Sequence, residues 1–165
     1  MTGNQVSQGA PPEHWRCAPE LLPYVFDALH KLDRAINPVA AVATVDAGGA
    51  PRTASFGSLR AVTPRLLRLV CNHHHDTYAN MCRDGQVSVA LLAPPDVAVS
   101  IRGEARVVQE QMQIGEHLAI LEIDVEEVKD DMMRRGEIDN AVGFAPPDEL
   151  RDFYVGAIAG IEDMG

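Results

Sequence analysis

Short runs of alternating hydrophobic and polar residues fill the middle of the chain, and a helical pattern lies near each end. The first pattern begins at Pro19, repeats apolar residues at three- and four-residue steps from Leu22 to Ile36, and is ended by Pro38. The second begins at Pro147. Its apolar spacing predicts an inner stripe of Leu150, Phe153, Tyr154, Ile158 and Ile161. A helix is therefore expected on either side of a β-rich region.

Seven strands are predicted between these two helices, with turn residues separating them. They cover residues 39–45, 51–58, 59–62, 65–72, 86–93, 97–108 and 117–128. The two glycines within Asp46–Ala50 are typical of a hairpin turn. Short helices are predicted at 76–83 and 109–116, and Gly103 is expected to mark a bulge in the sixth strand. Many short strands in one chain predict a mainly β protein, namely a closed antiparallel β-barrel with flanking helices.

Composition limits the partners that this protein is expected to have. The chain has 24 acidic and 14 basic residues and a net charge of −10, which repels nucleic acid and anionic membrane surfaces. Three cysteines without paired spacing favour a reducing cytoplasm over a disulfide framework. Residues 1–18 are rich in Gly, Gln, Ser and Pro, so we expect a flexible leader before a single domain at 19–165. The chain also lacks the long apolar run that a membrane span requires.

The segment Leu69–Asn80 carries the most informative chemistry. A hydrophobic strand ends there in a polar corner with three consecutive histidines, and the corner opens a short helix. Unpaired backbone N–H groups at a helix start suit an anion such as a cofactor phosphate. Cys71, His73 and His75 share one face of a strand, which raises zinc as an alternative. A zinc site needs three or four converging ligands, and no second ligand cluster follows, so no metal site is predicted.

Several short motifs occur in an order that resembles the pyridoxamine 5'-phosphate oxidase-like family of FMN-binding split barrels. They are Ala43–Asp46 with Gly49–Thr53, Leu69–Asn72, Thr77–Met81, Gln86–Ala90 and Ile101–Val107. The resemblance covers about residues 38–128 and implies an antiparallel split barrel that forms a homodimer, with FMN at the subunit interface. The cofactor-binding residues that it implies are Arg52, Thr53, Ser55, Val70, Cys71, Asn72, His75, Thr77 and Asn80.

The chain departs from the oxidases of this family at two motifs, and these departures limit the function that the resemblance implies. Those enzymes carry a Ser-Arg-Lys run where this chain has His75, Asp76 and Thr77, and their closing Arg-x-His motif is absent after Ile123. The implied function is therefore an FMN-dependent oxidoreductase that acts on a small molecule other than pyridoxine phosphate. Because the flavin carries out the redox step, no catalytic residue is assigned. An F420-dependent reductase and a non-catalytic module that binds or senses flavin or haem remain alternatives.

Overall fold

An antiparallel sheet is the main element of the computed structural model, which describes residues 15–133 and 135–164. Its strands in the described residues are β1 Cys17–Ala18, β2 Ala40–Val45, β3 Pro51–Phe56, β4 Arg60–Thr63, β5 Leu66–Asn72, β6 Gln86–Ala93, β7 Val97–Gln109 and β8 Leu118–Asp130. The helices are α1 Pro23–His30, α2 Asp76–Arg83 and α3 Asp148–Glu162. The predicted mainly β split barrel with flanking helices is confirmed.

The strands follow the hydrogen-bonded order β3-β2-β6-β7-β8-β5-β4, with β1 paired to β8. The prediction of a closed barrel is wrong, because β3 and β4 stand at the two ends of this order and do not pair with each other within the described residues. Alternating residues from the strands meet in one core, which includes Val42, Leu69, Leu91, Ile101 and Leu121. Side chains at the positions between them face outward.

The first helix is shorter than its apolar spacing predicts. Lys31 has a left-handed backbone with φ of 50°, so α1 ends at His30 and only a 3-10 turn follows at Leu32–Arg34. Leu32 continues the apolar spacing, yet its side chain is exposed. Tertiary contacts of Lys31 therefore end the helix where local sequence would extend it.

Two predictions around β7 had opposite outcomes. The pairing of β7 with β8 slips between Arg102 and Gly103, so the predicted bulge is confirmed. A Cβ on Gly103 would lie 2.3 Å from the carbonyl oxygen of Asp124, which explains the glycine. The predicted helix at 109–116 is wrong, because that segment is a tight turn closed by a bridge between Met112 and Gly115.

The third helix covers the outer face of β5 and β8. A small apolar cluster joins the helix to that face through Met112, Leu118, Ile120 and Ala157. Arg68 of β5 is buried there and donates to Glu122 at 2.7 Å and to the carbonyl of Ile161 at 3.3 Å. Leu150 was expected on the inner stripe but is 44% exposed, since the packed part of α3 begins one turn later. These contacts hold the last turns of α3 against the sheet.

The last two residues of the predicted leader, Cys17 and Ala18, pair with the sheet. Of the leader predicted at 1–18, positions 1–14 lie outside the described residues, and Cys17–Ala18 form β1 against Val128–Lys129. None of the helices in the described ranges is long and apolar enough to cross a membrane.

Candidate functional site

A cavity of about 470 Å³ lies between the outer face of the sheet and α3. The ends of β3 and β5 form one side, and α3 with the segment before it forms the other. The lining residues include Ile36, Ser55, Gly57, Ser58, Val70, Asn72, His75, His117, Phe144, Phe153, Tyr154 and Ile158. This volume and a mostly apolar wall with a few polar groups are typical of a small-molecule site.

Strand alternation decides which of the implied cofactor residues reach this cavity. Ser55 of β3 and both Val70 and Asn72 of β5 face outward and line it, and His75 joins them from the corner after β5. Cys71 lies between two lining residues but points into the core and is 1% exposed. Burial raises the pKa of the Cys71 thiol to about 12, so the residue is an inert packing group rather than a thiolate.

The predicted phosphate ligand Arg52 lies farther along β3, near the hairpin. Its side chain is 58% exposed, and its Nε donates to Asp46 at 2.9 Å. The backbone N–H of Ala50 and then the Arg52 guanidinium hold the pKa of Asp46 below its usual value. Neither Arg52 nor the exposed Thr53 lines the cavity. The structure therefore separates these two residues from the four that meet at its wall.

The start of α2 is already partly occupied by side chains of the chain itself. Asp76 accepts a hydrogen bond from the backbone N–H of Thr77 at 2.9 Å, and Thr77 is buried. Asn80 donates to the hydroxyl of Thr44 at 3.0 Å and accepts from Arg83 at 3.1 Å. Asn80 thus fixes α2 to β2, and the carboxylate of Asp76 competes with any anion for the helix terminus.

The three histidines of the corner have different surroundings. His73 packs against Tyr78 with ring centroids 4.7 Å apart, and its buried Nε2 has no hydrogen-bond partner in the described part of the chain. His74 is exposed, whereas His75 lines the cavity. Across 15–133 and 135–164, no three His, Cys, Asp or Glu side chains are placed to hold a metal ion.

Sequence reasoning missed the aromatic side of the cavity. The ring of His117 is stacked on Phe153 at a centroid distance of 6.4 Å, and Phe144 meets Tyr154 edge to face at 5.5 Å. The apolar spacing of α3 correctly predicts that Phe153 and Tyr154 share one stripe, but such a stripe is typical of core packing and does not indicate a cavity. Phe144 stands in an irregular segment where the sequence offered no signal.

These residues fit a planar aromatic ring more clearly than they fit a phosphate. Phe153 and Tyr154 provide flat apolar surfaces, and Ser55 and Asn72 place polar groups beside them. Of the residues predicted to hold the phosphate, by contrast, Arg52 is engaged by Asp46 near the hairpin, and Asp76 brings negative charge to the corner. The ring of a flavin thus fits the cavity, whereas its phosphate would have to displace an existing contact.

The fold and the cavity define the class of protein: an antiparallel split barrel with a cavity on its outer face. The family model described as pyridoxamine 5'-phosphate oxidase matches residues 31–132. The chain belongs to the pyridoxamine 5'-phosphate oxidase family. The matched residues include β2 to β8 and α2 but not α3, so the aromatic wall from α3 lies outside the match.

Several solved structures are similar to this chain. A candidate pyridoxamine 5'-phosphate oxidase from Lactobacillus delbrueckii is 25% identical, with 56% of this chain and 84% of that chain covered and a TM-score of 0.47. HupZ from Group A Streptococcus is 22% identical over 66% and 94%, with a TM-score of 0.48. An F420 reductase is 13% identical over 64% and 95%, with a TM-score of 0.50, and shows the shared fold. No curated protein matches the chain.

Proposed function

We propose that this chain is an FMN-binding flavoprotein, an oxidoreductase that acts on a small molecule other than pyridoxine phosphate. The observation that carries the proposal is the cavity, because residues from β3 and β5 that the family resemblance assigns to the cofactor meet an aromatic wall there. Bound FMN would supply the hydride or electron transfer, and the protein would supply binding, orientation and exclusion of water.

Different residues would hold the two ends of the cofactor. Val70 and Tyr154 would contact the flavin ring, and Asn72 would offer its amide to a polar edge of the ring. Arg52 and His75 are the basic groups for the phosphate. Arg52 would leave Asp46 to reach it, a change of small cost because exposed ion pairs contribute only about 0–1 kcal/mol.

The proposed active form is a homodimer with the cofactor at the interface. Proteins of this family are commonly dimers. Large apolar side chains are exposed in the described residues, among them Val45, Leu92, Val142 and Phe144, and Phe144 also lines the cavity. A second subunit would bury such groups and could add cations near the phosphate. Sedimentation equilibrium at micromolar concentration should give twice the monomer mass, and a monomer mass with FMN bound would contradict this arrangement.

Titration with FMN tests the cofactor. The absorption spectrum of the purified protein distinguishes flavin, F420 and haem, and uptake of added FMN is followed by flavin fluorescence. Ser55→Trp should fill the cavity and reduce uptake at least tenfold, whereas Thr63→Trp, at an exposed position of β4 outside the cavity, should not. A colourless protein that fails to take up FMN would contradict the proposal.

A second measurement separates an enzyme from a binding module. If the protein is an oxidoreductase, a reduced nicotinamide cofactor should bleach the absorption of bound FMN at a rate that depends on its concentration. Bound FMN that neither NADH nor NADPH reduces would favour a flavin-binding or sensing role.

A further inference from the structure

Two basic side chains, Lys31 and Arg60, are buried behind one part of the cavity wall. Lys31 follows α1 and is 6% exposed, and Arg60 begins β4 and is 3% exposed. Lys31 has φ of 50°, a conformation that costs a non-glycine residue about 1 kcal/mol. Tertiary contacts therefore hold this lysine in the interior.

Within residues 15–133 and 135–164, the hydrogen-bond acceptors of these two cations are backbone carbonyls. The Lys31 ammonium donates to the carbonyls of Ile36 at 3.2 Å and Gly57 at 3.1 Å. The Arg60 guanidinium donates to Gly57 at 3.4 Å, to Ser58 at 3.3 Å and to Ala35. The buried Nε of Arg60 has no hydrogen-bond partner among the residues that the structure describes.

No carboxylate neutralises this pair within the described part of the chain, since none of the ion pairs found there includes Lys31 or Arg60. Glu162 of α3 acts on Arg60 electrostatically but is itself paired with Arg34 at 3.1 Å. Burial, and then the charge of Arg60, lowers the pKa of Lys31 to about 7. A buried charge without a counter-ion costs several kcal/mol, so a purely structural role would favour apolar side chains here.

The shared carbonyls connect the cations to the cavity. Ile36, Gly57 and Ser58 line it, whereas Lys31 and Arg60 do not. The carbonyl of Gly57 points away toward both cations. In a trans peptide, C=O and N–H point in opposite directions, so the N–H of Ser58 points away from the two cations, and both residues of this peptide line the cavity. Both cations lie on the carbonyl side of this peptide, so below about pH 7, where Lys31 is protonated, two positive charges reinforce the N–H of Ser58.

We propose that the wall at Gly57 and Ser58, backed by Lys31 and Arg60, is a subsite for the carboxylate of an aromatic ligand. Phe153 of α3 would hold its ring, because Tyr154 is assigned to the flavin, and the Ser58 N–H with the field of the two cations would select its negative charge. This subsite lies in the cavity assigned above to the flavin, so naming aromatic carboxylates as the substrate class rests on the proposed function. The binding test itself requires no flavin.

Comparison of benzoate with benzamide tests this subsite, because the two probes share a ring and differ in charge. Binding to flavin-free protein is measured by ligand-observed NMR at about pH 6, where Lys31 is protonated. Benzoate should bind about tenfold more tightly than benzamide, and Lys31→Met should reduce that preference to less than about threefold. Lys129→Met removes an exposed lysine of β8 and should leave the preference unchanged.

Equal affinity for the two probes, no binding of benzoate, or a preference that survives Lys31→Met would overturn the proposal. If Lys31→Met does not fold, the preference is measured at about pH 6 and about pH 9 in a His75→Gln, His117→Gln variant, so that neither cavity histidine contributes to a change with pH. It should fall as Lys31 loses its proton, and an equal preference at the two pH values would overturn the proposal. A preference for benzoate in a protein that takes up no FMN would remove the flavin function and leave this subsite standing.

Discussion

Two buried basic sites in this protein differ in what neutralises them. Arg68, beneath α3, donates to the carboxylate of Glu122 at 2.7 Å, and Arg106 reaches the same carboxylate. Lys31 and Arg60, behind the cavity wall, have only carbonyl acceptors among the described residues. The first arrangement is complete within the described chain, whereas the second retains positive charge that nothing there balances. The difference indicates that Arg68 holds the fold together and that Lys31 and Arg60 are available to act on a ligand.

Removing the carboxylate from the complete site should have the largest effect. Glu122→Ala leaves Arg68 buried with the Ile161 carbonyl as its remaining acceptor, so the free energy of unfolding should fall by about 3 kcal/mol in chemical denaturation. Glu126→Ala, which breaks an exposed pair with Arg102 at 3.7 Å, should change it by about 0.5 kcal/mol or less. Similar losses in both variants would remove the distinction between a buried pair and an exposed pair.

The unbalanced site should make stability depend on pH. The pKa of Lys31 is about 7 when folded and 10.5 ordinarily, so between these values the unfolded chain binds more protons. The free energy of unfolding should therefore rise by up to about 2 kcal/mol from pH 7 to pH 9. The raised pKa of Cys71 opposes the trend from about pH 8, and that of Tyr24 from about pH 9, because these groups, with ordinary pKa values of 9.0 and 10.0, ionise first in the unfolded chain.

Lys31→Met should abolish this rise, and Lys129→Met should retain it. The measurement is chemical denaturation of wild type and both variants at intervals from pH 7 to pH 9. If the free energy of unfolding of Lys31→Met rises with pH as steeply as that of wild type, the lysine keeps an ordinary pKa in the folded protein. Lys31 would then not differ from Arg68 as an unbalanced buried charge.

Arg52 differs from both buried sites, because it is exposed and its ion pair with Asp46 is exposed as well. Arg52→Ala should raise the Kd for FMN about tenfold, or about 1.5 kcal/mol, because a phosphate contact is lost and only an exposed pair with Asp46 is given up. Arg65→Ala, which breaks a similar exposed pair with Glu20, should leave the Kd unchanged. An unaltered Kd in Arg52→Ala would exclude Arg52 from the phosphate site.

Local features of the fold could be predicted from sequence, and long-range features could not. The α2 range, the β6 range and the Gly103 bulge depend on neighbouring residues, so their patterns were readable. Barrel closure depends on whether the two end strands meet, and the end of α1 depends on the burial of Lys31 against residues far along the chain. Neither is encoded in apolar spacing.

In the candidate site, too, the part formed by neighbouring residues could be predicted and the part formed by distant residues could not. The corner at Asn72–Thr77 was apparent because polar residues follow a hydrophobic strand. The second wall was not, because α3 reaches the sheet from a distant part of the chain. Strand alternation in β5 places Val70 and Asn72 on one face and Cys71 on the other. It does not say which face carries the cavity, so sequence alone could not exclude Cys71 from the site.

A crystal structure of the protein grown with FMN tests the central claim most directly. The account predicts a flavin ring between β5 and α3, in contact with Val70 and Tyr154, with the phosphate near Arg52. A cavity filled by side chains, or a flavin bound elsewhere on the molecule, would contradict it.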